Sequence, residues 1–334
     1  MRILVIGGTG FLGRHISQEA LRREHALTLL TRGRTNPELF PSAEHLRGDR
    51  TAGGLEALAG RTFHALIDTC GYLPTQVTAA VEALRDSIAH YTFISSLAVY
   101  PDPVLPGTDE SIPVATVDGP VPDQSDDAYG ALKALCEEAA ERAMPGRVLS
   151  VRPGLLVGPF DETDRFGYWP QRVAEGGRVL AAEPAQPIQL IDVRDLASWL
   201  LDSVESGRTG AYNATGSAGS LTMEELIEAC RDATGSDADV VWAGDRFLLD
   251  RGIEPWEELP LWLPSRLAGF FQVDCSKAMS EGLRFRPLAE TTEQVFEWVR
   301  SRPAASQRNR LSRERERELL ADWLRLPGRA ARDR

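Results

Sequence analysis

Two side chains able to move a proton stand four positions apart in Tyr129-Gly130-Ala131-Leu132-Lys133. On a helix this spacing puts phenol and ammonium on one face. An ammonium beside a phenol favours the phenolate and pulls its pKa down from about 10. Tyr129 so tuned would act as acid and base near neutral pH, and Lys133 could also hold ribose hydroxyls. The chain has six tyrosines and two lysines in 334 residues. Chance alone would supply roughly 0.04 such pairs, so the spacing carries information. A third candidate is Ser96. The apolar run Tyr91-Thr92-Phe93-Ile94 reads as a strand that delivers Ser95-Ser96 to the end of a sheet.

Chemistry of a different kind is encoded at the N-terminus. Arg2-Ile3-Leu4-Val5-Ile6 reads as a buried parallel strand, and Gly7-Gly8-Thr9-Gly10-Phe11-Leu12-Gly13 follows directly. A helical pattern then starts at Phe11. Strand, glycine turn and helix in that order form a dinucleotide fingerprint. The glycines permit a tight turn and a close approach to a pyrophosphate, and the helix N-terminus offers free N–H groups. Gly7, Gly10, Phe11, Leu12 and Gly13 are therefore candidate cofactor contacts. The second strand, Ala26 to Thr31, ends in Arg32-Gly33-Arg34, where an NAD enzyme would place an acid for the ribose 2′-hydroxyl. Arg32 and Arg34 could instead pair with a 2′-phosphate, which favours NADP(H) and leaves NAD(H) open. Asp49, at the end of a third strand over His45 to Asp49, is either an adenine-pocket residue or a turn residue. Asp68, ending a fourth strand over His64 to Thr69, is expected at the crevice, as is Pro153 after a sixth strand over Val148 to Arg152.

These elements predict an α/β fold, a Rossmann-like doubly wound parallel sheet with a smaller C-terminal substrate-binding lobe. Helices are expected over 75–84 and 128–143. Between Ser96 and the second of these, residues 101–127 carry six prolines and seven acids with little periodicity, and read as a substrate-side excursion. The expected organisation is a dinucleotide-binding domain over 1–155, completed by about 188–215. Residues 156–187 and 216–300 form the substrate lobe, and 301–334 a basic helical tail. Beyond residue 155, helices are expected over 164–175, 192–204, 223–234 and 290–300, and strands over 188–191 and 210–214. Arg165, Tyr168, Trp169 and Trp256 are candidate substrate contacts, with Asp164, Arg172 and Trp262 close behind; for the aromatics, the alternative is a place in the core.

Bulk properties narrow the partners. The net charge of −12 argues against a nucleic-acid partner. The four cysteines are widely separated, so reduced thiols in a cytoplasmic protein are expected, and no histidine cluster suggests a metal. No apolar run near membrane length is present, so no membrane partner is expected, and a small-molecule substrate is. Residues 300–334 hold 11 arginines and 5 acids. The apolar stripe Leu319, Leu320, Trp323 and Leu326 should therefore dock on the chain's own surface or on a second copy, a homodimer, with a nucleic-acid arm as the remaining reading of the basic segment.

Glycine fingerprint, strand-delivered serine and Tyr-x-x-x-Lys, in that order, resemble the short-chain dehydrogenase/reductase superfamily. More narrowly, the chain resembles the NAD-dependent epimerase/dehydratase family, in its extended or atypical branch. Ser95-Ser96-Leu97-Ala98-Val99-Tyr100 is similar to that family's S-S-x-x-V-Y segment, which implies a catalytic role for Ser96. Tyr129 and Lys133 match its catalytic pair. Arg152-Pro153-Gly154 with Val157-Gly158-Pro159 is similar to the stretch beside its nicotinamide, and Ile191 to Ala197 to its later V-x-D-L-A segment. The resemblance is specific to about residue 215. Leu97-Ala98 stands where the family's dehydratases carry Asp-Glu, and the acid of many epimerases after the second strand is missing. The resemblance thus implies reversible hydride transfer between NADP(H) and a carbonyl or secondary alcohol, with Ser96 on the oxygen, Tyr129 as proton carrier and Lys133 tuning it. Three alternatives remain: a nucleotide-sugar epimerase with tightly held cofactor, a non-catalytic cofactor-sensing regulator, and an RNA-associated protein of chloroplast stem-loop-binding type, which some of these motifs also resemble.

Overall fold

The computed structural model describes residues 1–51, 54–117, 119, 121, 124–125, 127–303 and 311–326. The first half alternates strand and helix: β1 (Arg2–Ile6), α1 (Phe11–Arg22), β2 (Ala26–Thr31), β3 (Glu44–Arg47), β4 (Ala65–Asp68), α2 (Pro74–Leu84), β5 (His90–Ile94), α3 (Tyr129–Ala143) and β6 (Val148–Pro153). With β10 (Gly210–Ala214), the six strands form one parallel sheet in the order β10-β6-β5-β4-β1-β2-β3. This is the expected doubly wound sheet. The order reverses between β1 and β4, and such a reversal opens a crevice at the strand carboxyl ends.

β1 pairs with β2 on one side and β4 on the other, so Ile3, Leu4 and Val5 are wholly buried. The continuous apolar run is what a strand covered on both faces requires. One face packs on α1 and α5 (Val193–Glu205) through Ile16, Ala20, Leu196 and Leu200; the other packs on α2 and α3 through Val77, Val81, Cys136 and Ala140.

Most remaining elements build a second core: β7 (Leu155–Val157), α4 (Tyr168–Ala174), β8 (Arg178–Ala182), α6 (Met223–Thr234), β11 (Asp239–Ala243), α7 (Asp245–Asp250), α9 (Leu288–Ser301) and α10 (Arg313–Leu324); β9 (Leu190–Asp192) and α8 (Ser276–Ser280) bury Ile191 and Ala278 in the first core. α6 starts as expected, with Thr222 and Glu225 capping each other's backbone amides. The helix expected from Asp164 begins only at Tyr168, because Asp164 itself lies at φ +56°. Two parallel pairs, β8 with β11 and β7 with β9, were not expected.

The C-terminal helix docks on the chain itself. Leu311, Leu319, Leu320 and Trp323 are buried in the second core, as the apolar stripe requires. Glu316 shares that face and is 1% exposed, paired with the buried Arg172 at 2.7 Å; its second oxygen accepts the Leu180 amide at 3.0 Å. Residues 304–310 and 327–334 of the expected tail lie outside the described residues.

Candidate active site

The carboxyl ends of the central strands open into a cleft of about 1460 Å³. A single small ligand usually occupies roughly 300–1,000 Å³, so this cleft has room for two.

The floor is the β1–α1 turn. Gly7 sits at φ +84°, and a Cβ there would lie 2.5 Å from the Thr69 hydroxyl. At Gly13 a Cβ would lie 2.1 Å from the Gly7 carbonyl oxygen, so the first turn of α1 presses against the turn before it. At Gly10 packing makes no such demand: a Cβ would meet only the Gly7 carbonyl oxygen, at 3.6 Å. The missing side chain there leaves open cleft wall. Gly10 is also the N-cap of α1 and provides no side-chain cap, while Phe11, Leu12 and Gly13 line the cleft. Uncapped amides and the positive end of a helix suit a pyrophosphate, so these residues fit a dinucleotide.

Arg32 and Arg34 line the same cleft as exposed side chains, as expected from their place after β2. Asp49 lines it too, beyond the end of β3. The Thr51 hydroxyl and amide hold its carboxyl below the usual range, and Arg32 and Arg34 add to the effect. Pro153 ends β6 on the cleft wall.

Asp68 corrects an expectation. It is 0% exposed and does not reach the cleft. Its carboxylate takes both Arg50 terminal nitrogens at 2.8 Å, the Tyr91 hydroxyl at 3.0 Å and the Cys70 amide at 3.1 Å. Burial alone would raise its pKa, but the Arg50 guanidinium holds it below the usual carboxylate range. The residue on the wall is Arg50. The sequence carries no pattern that pairs it with Asp68, since the two meet only through β-sheet order.

Ser96, Tyr129 and Lys133 meet in this cleft. Ser96 follows β5 by two residues and caps a short 3₁₀ turn over Leu97–Val99, its hydroxyl accepting the Ala98 amide at 3.1 Å. Gly130 brings Tyr129 to it, because a Cβ at Gly130 would lie 2.0 Å from the Ala98 carbonyl oxygen. Close contact of α3 with the turn after Ser96 thus needs that glycine. Behind the turn, Tyr100 donates to Asn213 at 2.8 Å and accepts from Arg152 at 2.9 Å, while Arg152 pairs with Glu137 at 2.7 Å. The neighbouring Ser95 is 2% exposed and lines the cleft with its hydroxyl unpartnered.

Tyr129 is 36% exposed. Burial of its remaining surface raises the phenol above its ordinary value, and a hydrogen bond with Ser96 opposes the rise. The expectation that Lys133 would lower it is therefore corrected. The Lys133 Nζ donates instead to the carbonyls of Ile94 at 2.6 Å and Gly71 at 2.9 Å, over the Phe93 ring. Two carbonyls reached from below the helix hold the ammonium in place.

Burial also lowers the Lys133 pKa to about 8. An unfolded lysine titrates near 10.4, so the unfolded chain binds more protons between these values and stability from this group rises with pH across that window. Relative to Lys133→Met, the wild type should gain on the order of 3 kcal/mol between pH 8 and pH 10.5, at about 1.4 kcal/mol per pKa unit. Denaturant melts of both proteins at the two pH values check this; a constant difference would refute it.

On the far wall Arg165 and Trp256 line the cleft as expected. Tyr168 and Trp169 do not. Both are buried in the second core, and the Trp169 indole donates to the Pro260 carbonyl at 3.0 Å. α4 turns these rings away from the cleft to pack on α6 and α9. Asp164 pairs with Arg302 at 2.7 Å, Arg172 with Glu316, and the buried Trp262 indole donates to Asp245 at 2.9 Å. Asp161, Glu257 and Phe270 were missed; they lie on the wall, on segments without periodicity.

Among the described residues no group of His, Cys, Asp or Glu is placed to hold a metal ion, and no helix is long and apolar enough to cross a membrane.

The model of the NAD dependent epimerase/dehydratase family matches residues 3–68. The chloroplast stem-loop binding protein of 41 kDa b from Arabidopsis thaliana is 25% identical over 253 residues, 70% of this chain and 63% of the relative, so the match spans less than two thirds of that protein. Among solved structures, the UDP-Glc/GlcNAc 4-epimerase of Campylobacter jejuni superposes with a TM-score of 0.68 at 18% identity, covering 90% of this chain and 99% of that one. The Thermus thermophilus UDP-glucose 4-epimerase, solved in complex with NAD, gives 0.61 at 20% identity, covering 91% and 100%. At these identities the structures share the fold. The segment that matches the NAD dependent epimerase/dehydratase family contains the glycine turn, and the fold of the solved epimerases is matched along nine tenths of the chain.

Proposed function

We propose that the chain is an NADP(H)-dependent oxidoreductase of short-chain dehydrogenase/reductase type acting on a carbonyl or secondary alcohol of a small molecule. One observation carries the reading: Ser96, Tyr129 and Lys133 share a cleft with the uncapped N-terminus of α1. When bound, the nicotinamide supplies a hydride to the carbonyl carbon, or accepts one from the alcohol. Ser96 donates a hydrogen bond to the substrate oxygen. Tyr129, its phenol raised and so protonated at neutral pH, gives that oxygen its proton in the reductive direction. Lys133, anchored on Gly71 and Ile94, holds the ribose hydroxyls and restores charge balance as the phenol loses its proton. The four free cysteines fit the cytoplasmic placement that goes with this reading.

Arg32 and Arg34 are proposed to take the 2′-phosphate. Both are exposed, so solvent screens them and Asp49 partly offsets their charge. NADPH should bind about 10-fold more tightly than NADH at low salt, and Arg32→Ala should remove most of that difference. Calorimetry with both cofactors decides it, and equal affinities in the wild type would reject the role.

The epimerase fold of the neighbours favours a second reading, a nucleotide-sugar epimerase. Incubation with NADPH and carbonyl compounds separates the two. Net loss of NADPH absorbance supports the oxidoreductase. A protein that purifies with bound cofactor and never consumes added NADPH supports the epimerase.

A further inference from the structure

Beyond Ser96 and Tyr129 the cleft is walled by Leu156, Trp256, Leu263 and Phe270. Trp256 is the fixed ring of this wall. It stacks on Phe271 at 5.6 Å with an interplanar angle of 28° and meets Phe270 edge-on at 5.7 Å. Its backbone lies at φ +69°, and its amide donates to the Trp262 carbonyl at 3.1 Å. A bulky residue in the left-handed region is strained and persists only where its surroundings hold it. The half-buried indole is thus a preset aromatic part of the cleft wall.

The charge of this half points the same way. Among its described lining residues the one cation is Arg165. Arg165 is already occupied: it lies 2.9 Å from Glu257 Oε1 and its guanidinium sits over the Trp256 ring at 5.4 Å. Asp161 and, from the excursion, Asp102 share the lining. Residues 101–127 hold seven acids and no lysine, arginine or histidine, so this excursion brings no cation to the site. A diphosphate here would have to displace Glu257 from Arg165 and lie beside further carboxylates. Like charges so juxtaposed disfavour binding.

Resting on the oxidoreductase reading, we infer that the substrate is a carbonyl compound bearing a flat ring and no phosphate or carboxylate, seated on Trp256, and not a nucleotide diphosphate sugar. The ring packs on the parts of Trp256 and Phe270 that line the cleft, the carbonyl reaches Ser96 and Tyr129, and the Arg165–Glu257 pair closes the outer end.

The test uses the full chain. NADPH binding is measured first by cofactor fluorescence, and the loaded protein is then titrated with acetonaphthone and with UDP-glucose. Acetonaphthone should bind and UDP-glucose should not. Trp256→Leu should weaken acetonaphthone about 10-fold or more while NADPH affinity stays unchanged. Glu257→Gln, at an exposed position, removes the carboxylate charge beside Arg165 and should bring UDP-glucose binding into range; it carries the test if Trp256→Leu does not fold. UDP-glucose binding more tightly than acetonaphthone to the wild type would overturn the inference. So would NADPH binding with no response to acetonaphthone, or UDP-glucose binding unaltered by Glu257→Gln. Failure of NADPH itself to bind would instead remove the oxidoreductase reading.

Discussion

Tyr129→Phe is expected to lower turnover by about 10²–10⁴-fold, the usual range for a positioned acid/base. The loss should fall on kcat, because the ring stays and only the proton carrier goes. Cofactor affinity should hold, since the α1 amides and the arginines after β2 lie elsewhere along the cleft. The raised phenol adds a direction. Tyr129 keeps its proton at neutral pH, so reduction should hold its rate at neutral pH and fall as alkaline conditions deprotonate the phenol. The oxidative direction needs phenolate and should rise with pH. Steady-state rates in both directions, for wild type and Tyr129→Phe, check both statements. An undiminished rate in the Phe variant would end the assignment.

A chain stopped after Pro303 should lose the folded second core. Leu311, Leu319, Leu320 and Trp323 are all buried there, and each such side chain contributes about 1.5–3 kcal/mol. The deletion also strips Arg172 of Glu316, leaving a charge 5% exposed without its partner. Breaking a buried pair costs about 3–5 kcal/mol. Together these exceed much of the stability of an ordinary domain, about 5–15 kcal/mol. The wall that bears Trp256 should go with this core, so substrate affinity should fall further than NADPH affinity. An unaltered melting temperature would show that α10 is dispensable. Glu316→Gln offers a milder version: it keeps the shape, removes the charge and should still lower the melting temperature.

The dinucleotide half was legible because its signals are local. Arg2 to Gly13 needs a buried strand, a positive-φ turn and a helix start, and each demand falls on adjacent residues. That Tyr129, Lys133 and Ser96 share a cleft was legible for the same reason, by spacing and by position after a strand. Side-chain direction was less legible. Lys133 turned to the Ile94 and Gly71 carbonyls, which come from β5 and the turn after β4, far away in sequence. Asp68 was placed correctly at the end of a strand, but Arg50 captured it. Tyr168 and Trp169 show the limit of composition: an aromatic pair looks alike whether it lines a cleft or fills a core, and packing on α6 and α9 decided it. The short strands β8 and β11 escaped because a run of three or four apolar residues has no period that separates strand from helix.

The position of β10 in the sheet has a consequence for synthesis. It pairs with β6 at the sheet edge, yet β7, α4, β8, β9 and α5 lie between them along the chain. A ribosome therefore emits part of the second core before the strand that completes the first. The N-terminal half cannot finish as a unit and wait for its neighbour, as chains with sequential domains do. Until Ala214 emerges, β6 presents an open parallel edge, a surface on which a nascent chain is prone to mispair. Long sequence separation also slows closure of that edge. Folding of this protein should consequently be one late, joint event in which both cores settle together, and cutting the chain near residue 155 should not release a stable nucleotide-binding fragment.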